Sequence, residues 1–399
     1  MAARASIWTR VRSWLFWAHL IAGVTAAAAI FTMSVTGALL ALQPQILEWV
    51  EADQRRNDTA AGTPRLAPGD ILMAATAGLA SLEGVSLSQT SDPRDNATVT
   101  IGRGRVLFVN PYTGRIEGAG ATRWRQAFQW LTEFHRWFAL QGESRATARA
   151  ITGWSTVAFA LLAVTGAVLW IPRMWSAALV ARGLTPGWPS TAAARHFNWH
   201  TVFGFWSMPV LLVLALSGVV IAFPWATRTL YTLAGTPAPQ QAGSRADGGG
   251  ERQRPGRAGA DAAAPADFRQ VDRAWTVATQ HLPTWGTITM RIQERTNGPL
   301  SFTITDATHW NRFARSQLIV SGRTGAVVRW EPYAATSRGQ RWRLWARFAH
   351  TGELGGLAGQ VVAGLASAAG ALLVYTGLSL ALRRLARTRK TARATAKAA

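Results

Sequence analysis

The chain of 399 residues is 49% hydrophobic and only 16% charged, a balance that a soluble protein of this length does not normally carry. Its formal net charge of +22 comes without a basic helix, which argues against a nucleic-acid partner. With no cysteine there are no disulfides, thiolate metal sites, iron–sulfur clusters or covalently held c-type haem, so any metal chemistry rests on histidine, methionine or carboxylates.

Residues 1–47 hold the N-terminus and a first apolar window, Ser13 to Leu47, that follows Arg4, Arg10 and Arg12 and contains no charged side chain. It is much longer than the about 7–15 residues of a signal-peptide core and reads as an anchor. Residues 48–122 predict a first outer domain: helical spacing over 67–82, strand-like runs "VSLSQT", "ATVTIG" and "RVLFVN", and a Pro-Tyr-Thr-Gly turn. An interfacial helix carrying His135 fills 123–149, a second window 150–172, a basic loop with Arg173, Arg182 and Arg195 residues 173–195, and a third window 196–227. The second outer domain, 228–340, has a helix-like "ADFRQVDRAWTVATQHL", then "TITMRI", "SFTIT" and "QLIVS" and an Arg-Thr-Gly turn. Within it, 236–267 is too rich in Pro, Gly and Ala to bury a core and is expected to be disordered. A second interfacial helix with His350 occupies 341–353, a fourth window 354–382, and a basic tail 383–399.

Each window exceeds the roughly 20 apolar residues that span a bilayer core, which predicts four transmembrane helices. The short basic segments place both termini in the cytoplasm, and Trp14, Trp17, Trp154, Trp170 and Trp225 sit at window edges as an interfacial belt would. The chain is also written twice. "HLIAG" at His19 to Gly23 is echoed by "HTVFG" at His200 to Gly204; a Thr-Gly pair ends at Gly37 and a Ser-Gly pair at Gly218, each 18 residues after its histidine. Gly166 and Gly377, and the turns at Gly114 and Gly325, are both 211 residues apart. This predicts an α-helical integral membrane protein of two parallel repeats, each a helix, a small α+β outer domain and a helix, related by an axis along the membrane normal.

On "HLIAG", "NPYTG", "FHRW", "HTVFG" and "FAHTGELGG", nearly the whole chain resembles the PepSY-associated transmembrane proteins, which include iron-regulated inner-membrane proteins and di-haem siderophore reductases. The resemblance implies PepSY-like periplasmic domains and a bacterial inner-membrane location. A soluble flavin domain, carried by some fused relatives, is not expected among these residues.

Five of seven histidines sit at membrane rims: His19, His135, His196, His200 and His350. His19 and His200 begin matching helices at equal depth, a spacing that suits two axial ligands of one haem iron, with Gly23 and Gly204 leaving room for a flat ring against the backbone. His196 lies one turn before His200 on the same face, so either of the two suits the role opposite His19. His135 and His350, each preceded by an Arg-Trp-Arg start and a phenylalanine, form the second expected pair. Arg12 and Arg195, and Arg136 and Arg347, stand beside the two pairs where anionic propionates or lipid phosphates would be met. His281 and His309 have no counterparts in the other repeat.

Haem b with both axial positions filled passes electrons and binds no substrate. Two of them make a path across the membrane from an unidentified cytoplasmic or quinol donor, and the family resemblance implies a ferric siderophore as the acceptor, with lipid the other partner. Two alternatives are a siderophore or iron transporter without redox activity, weakened by windows without an acidic residue, and a membrane-anchored regulatory module built on the outer domains.

Overall fold

Among the described residues four helices are long and apolar enough to cross a membrane, by length and composition. The computed structural model describes the chain apart from residues 1, 59–61, 80, 103, 172–176, 240–266, 294–295, 310, 312 and 399. Arg173 and nearly all of the 236–267 stretch expected to be disordered lie outside the described residues.

The chain opens with α1 (Ala2–Leu40), α2 (Gln43–Val50), α3 (Ala52–Arg55) and α4 (Pro68–Thr76), then strands β1 (Ser86–Thr90), β2 (Ala97–Ile101), β3 (Arg105–Val109) and β4 (Ile116–Ala119). Next come α5 (Thr122–Trp137), α6 (Ser144–Trp170), α7 (Ala177–Leu184), α8 (Ala192–Ala222), α9 (Pro224–Leu233) and α10 (Arg269–His281). Strands β5 (Trp285–Ile292), β6 (Pro299–Asp306), β7 (Arg315–Ser321) and β8 (Val327–Glu331) precede α11 (Arg338–His350) and α12 (Gly356–Ala398). These elements form a helical unit (1–43, 127–238 and 338–399) and a sheet unit (44–126 and 239–337).

In the helical unit α1 packs on α6 and α12, and α8 packs on the same two helices, so the four close into a ring. The contacts use small residues, as helices in lipid require because hydrocarbon gives no hydrophobic drive between them. A side chain added at Gly370 of α12 would meet Ser34 Oγ at 2.9 Å, and one at Gly364 would meet Ala41 Cβ at 3.1 Å. Ile21, Leu161, Leu216 and Leu365 face outward, the placement lipid rewards. The α6 helix begins at Ser144, ahead of the apolar window, because an interfacial first turn tolerates Arg145 and Arg149; the Arg145 guanidinium lies 4.1 Å over the Trp137 ring.

The sheet unit departs from the two separate small sheets that the sequence suggests. Its strands form one antiparallel eight-stranded sheet, ordered β4-β3-β2-β1-β5-β6-β7-β8, in which β1 and β5 join the halves with Leu87 opposite Met290. Two four-stranded halves would each leave a central edge unpaired, and pairing β1 with β5 removes both. Strict alternation puts Leu300, Phe302 and Ile304 of β6 in the core and Ser301, Thr303 and Thr305 on the other face. Ile71 and Leu72 of α4 and Val271, Ala274 and Ala278 of α10 cover that core. The first of these helices is shorter than its periodicity predicts: Ala77 is extended and Gly78 takes φ +81°, ending it at Thr76.

One buried carboxylate pins the entry to α5. Glu51 is fully buried and accepts four hydrogen bonds: Arg125 Nε at 2.6 Å and a second Arg125 nitrogen at 2.6 Å, Arg55 at 2.7 Å and the Ala121 amide at 3.0 Å. Burial by itself raises a carboxyl's pKa, but the hydrogen bonds and charge of Arg125, the amide and Arg55 outweigh it and hold Glu51 below its usual 4.5. With a depressed folded pKa, its stabilisation is complete above the unfolded value and is lost as pH falls through the folded one. Glu51→Ala should cost about 3 kcal/mol near pH 7, the low end for a broken buried pair because both arginines keep some surface in water. Thermal melts from pH 7 down to 3 should show the difference between wild type and variant shrinking. A constant difference across that range would rule out an ionised Glu51 as its source.

Candidate functional site

The helical unit brings four histidines together in two pairs. The His19 ring of α1 and the His200 ring of α8 lie with centroids 6.4 Å apart and planes at 87°. The His135 ring of α5 and the His350 ring of α11 lie 6.3 Å apart at 59°. Both gaps are too wide for a ring-to-ring hydrogen bond. Of the two partners left open for His19, His200 is the one that faces it. His196 is buried and turns to α12, with Nδ1 2.8 Å from Ser379 Oγ and its ring edge-on to Tyr375.

Every paired imidazole is held by a neighbouring helix in the same way. Nδ1 of His19 lies 2.9 Å from Thr165 Oγ1, that of His200 3.0 Å from Thr376 Oγ1, and that of His135 2.8 Å from Thr36 Oγ1. His350 Nδ1 lies 3.2 Å from Ser217 Oγ and donates to the Leu214 carbonyl at 2.9 Å. Each hydroxyl residue is followed by a glycine against which the ring lies: a Cβ added at Gly166 would stand 3.4 Å from His19 Cε1, at Gly377 3.1 Å from His200 Cε1, at Gly37 3.6 Å from His135 Cε1, and at Gly218 3.3 Å from His350 Cε1. Gly37 lies 18 residues beyond His19, about 27 Å of helix, so α1 holds a histidine near its middle and a histidine cradle near its C-terminal end.

The short helices are fixed where they carry these residues. Thr152 of α6 donates to the Arg136 carbonyl at 2.8 Å, tying down the end of α5, and the Gly339 amide at the start of α11 donates to Thr236 Oγ1 at 3.1 Å. After α5 the chain turns through Phe138 and Ala139, both at φ 55°; after α11 it turns through Gly352 at φ 74° and Gly356 at φ 59°. The first corner puts two non-glycine residues and then Gly142, at φ 60°, in positive-φ backbone, and the second uses glycine alone for it.

A cleft of 1740 Å³ opens beside the first pair, larger than the about 300–1,000 Å³ of ordinary small-molecule pockets. His19, His200, Gly23, Gly204, Phe16 and Phe205 line it, with Arg12, Arg383, Arg384 and Arg387 also on its wall. Gly23 and Gly204 leave this wall low: side chains there would face Leu162 at 3.7 Å and Leu373 at 3.6 Å. Arg12 donates to the Ile171 carbonyl at 2.8 Å and also to that of Leu169, satisfying carbonyls at the end of α6. Arg384 lies 4.9 Å over Phe16 and 5.1 Å over Trp17. Arg195 is placed 6.0 Å over both Trp188 and Trp199, Arg136 4.8 Å over Trp137, and Arg347 6.0 Å over Phe348.

The sequence marked Gly37, Gly166, Gly218 and Gly377 as repeat signatures without connecting them to histidines. The signal was the recurring hydroxyl-glycine dipeptide, which in an apolar helix reads first as close packing. Arg383, Arg384 and Arg387 were likewise read for orientation alone, although they line the cleft. Among the described residues no group of three or more His, Cys, Asp or Glu comes together as a metal site.

No curated protein matches the chain. The family model of the PepSY-associated TM region matches residues 16–384, which include all four paired histidines and the hydroxyl-glycine dipeptides that hold them. The chain is therefore a membrane protein of the PepSY-associated transmembrane family.

Proposed function

We propose that this protein is a two-haem b electron carrier of the bacterial inner membrane that supports reduction of ferric siderophores on the periplasmic side. The observation that carries the proposal is the matched spacing of the two histidine pairs. A metal–imidazole nitrogen bond is about 2 Å, so two such bonds with half a ring at each end span about 6 Å. The centroid separations of 6.4 and 6.3 Å have this value. With two protein ligands per site, the other four positions of a six-coordinate metal belong to a macrocycle. Haem b, when bound, supplies one-electron oxidation and reduction at an iron that has no open position.

This chain's residues divide the remaining tasks. His19 and His200 would hold one haem iron, and His135 and His350 the other. Gly23 and Gly204 admit a flat apolar face beside the first pair, and Arg12, Arg383, Arg384 and Arg387 meet its carboxylates, a role in which the last three replace Arg195. The duplicated sequence supports two parallel repeats with both termini cytoplasmic, each repeat giving one histidine to each pair. The helix length between the two levels, about 27 Å, compares with about 30 Å of bilayer hydrocarbon and puts one pair near each surface. In this orientation the sheet unit is periplasmic. The reaction served is addition of one electron to siderophore-bound Fe(III); no siderophore bond breaks, and Fe(II) is held less tightly by hard oxygen ligands. The electron comes from a cytoplasmic or quinol donor.

Protein purified from haem-replete cells should show b-type bands in a reduced-minus-oxidised spectrum, with two haems per chain. His200→Ala and His350→Ala should each lower this to one, while His196→Ala keeps both; absence of haem from the wild type, or loss of one on His196→Ala, overturns the assignment. Dithionite-reduced protein in liposomes should be reoxidised by a ferric siderophore and stay reduced with the redox-inert gallium complex. Equal reoxidation by both, or by neither, contradicts the acceptor.

A further inference from the structure

The four hydroxyl-glycine dipeptides do more than pack helices. A serine or threonine hydroxyl has a single proton, and each of these gives it to the carbonyl four residues back in its own helix: Thr36 to Thr32 at 2.7 Å, Thr165 to Leu161 at 2.7 Å, Ser217 to Val213 at 2.6 Å and Thr376 to Leu372 at 2.8 Å. Only oxygen lone pairs then face the imidazole, so Nδ1 is the donor in every contact. His350 shows the same polarity by a separate route, because the Leu214 carbonyl that it meets at 2.9 Å can only accept. A neutral imidazole whose Nδ1 keeps the proton carries its lone pair on Nε2.

The glycine supplies the second constraint. Cε1 lies between the two ring nitrogens, so a methyl group pressing on it displaces the hydrogen bond and the ligating atom together. The clearance is graded: 3.1 Å at Gly377 is tighter than an ordinary carbon contact, whereas 3.6 Å at Gly37 is ordinary van der Waals distance.

We propose that Thr36-Gly37, Thr165-Gly166, Ser217-Gly218 and Thr376-Gly377 are positioning sites that lock all four histidines as Nδ1–H tautomers with Nε2 directed into the space shared by each pair. The tautomer is inferred from the carbonyls that take the hydroxyl protons and, at His350, from the Leu214 carbonyl; the metal that Nε2 meets rests on the two-haem reading. Outer-shell partners of this kind set ligand orientation and basicity, and their loss typically weakens metal retention about 10- to 100-fold.

The test takes the full-length protein in two measurements. On a His350→Ala background, which leaves the His19/His200 centre, Gly377→Ala and Thr376→Val should reduce the low-spin haem signal per chain about tenfold or more, and Thr376→Ser, which restores the acceptor, should retain it. On a His200→Ala background, Gly37→Ala, where the clearance is wider, should lower the other centre's signal less than Gly377→Ala lowers its own. Size-exclusion profiles equal to the parent's exclude misfolding. Unchanged signal in Gly377→Ala and Thr376→Val, or equal loss in Gly37→Ala, overturns the positioning role while leaving the wild-type haem reading standing. Nitrogen-15 spectra of histidine-labelled wild-type protein in lipid, prepared from haem-depleted cells, should give four side chains with protonated Nδ1 and bare Nε2. Protonated Nε2 at these sites overturns the tautomer lock whether or not the protein binds haem.

Discussion

A neutral imidazole inside an apolar bundle brings one N–H that must find an acceptor, and in hydrocarbon the acceptor has to come from protein. The rest of the helical unit is arranged around this requirement. Threonine and serine meet it because an apolar helix leaves their hydroxyls nothing better to do with the proton than return it to their own backbone. The oxygen that remains is a fixed acceptor at a fixed height on the helix. Glycine next to it lets the ring approach closely enough to use it.

The requirement is met four times by a division of labour. α1 and α8 carry His19 and His200 at one level and, 17 to 18 residues further on, the cradles Thr36-Gly37 and Ser217-Gly218 near their C-terminal ends. α6 and α12 carry the complementary cradles for the first pair, and the short helices α5 and α11 bring in His135 and His350. Each cradle serves a histidine of its own half of the chain, whereas each histidine faces one from the other half. Neither half completes a pair by itself, so the duplication that is visible in the sequence is a condition of the proposed site.

Much of this was legible in the residues. Uncharged windows longer than a bilayer core identify membrane helices because charge in hydrocarbon is so costly, and the equal 18-residue offsets after His19 and His200 identify the repeat. Other features were hidden by degeneracy. His196 and His200 share a helix face, so spacing cannot separate them; only the packing of α8 on α12 sends His196 to Ser379. The join of β1 to β5 links segments some 200 residues apart whose Ser and Thr alternation suits an exposed edge equally well. Arg383, Arg384 and Arg387 serve the orientation rule and line the cleft, and a basic tail announces only the first of these.

On the opposite side of the account stands the sheet unit, whose single eight-stranded sheet fuses two halves that cannot be told from separate domains in sequence. Within it the β1–β5 ladder joins the strands of residues 86–119 to those of residues 285–331. The central claim concerns what lies between the paired rings. A cryo-electron microscopy map of the purified protein in lipid decides it most directly. Planar density with a strong central peak is expected between Nε2 of His19 and Nε2 of His200, and a second between those of His135 and His350. Direct ring contact, or lipid or solvent density in both gaps, would contradict it.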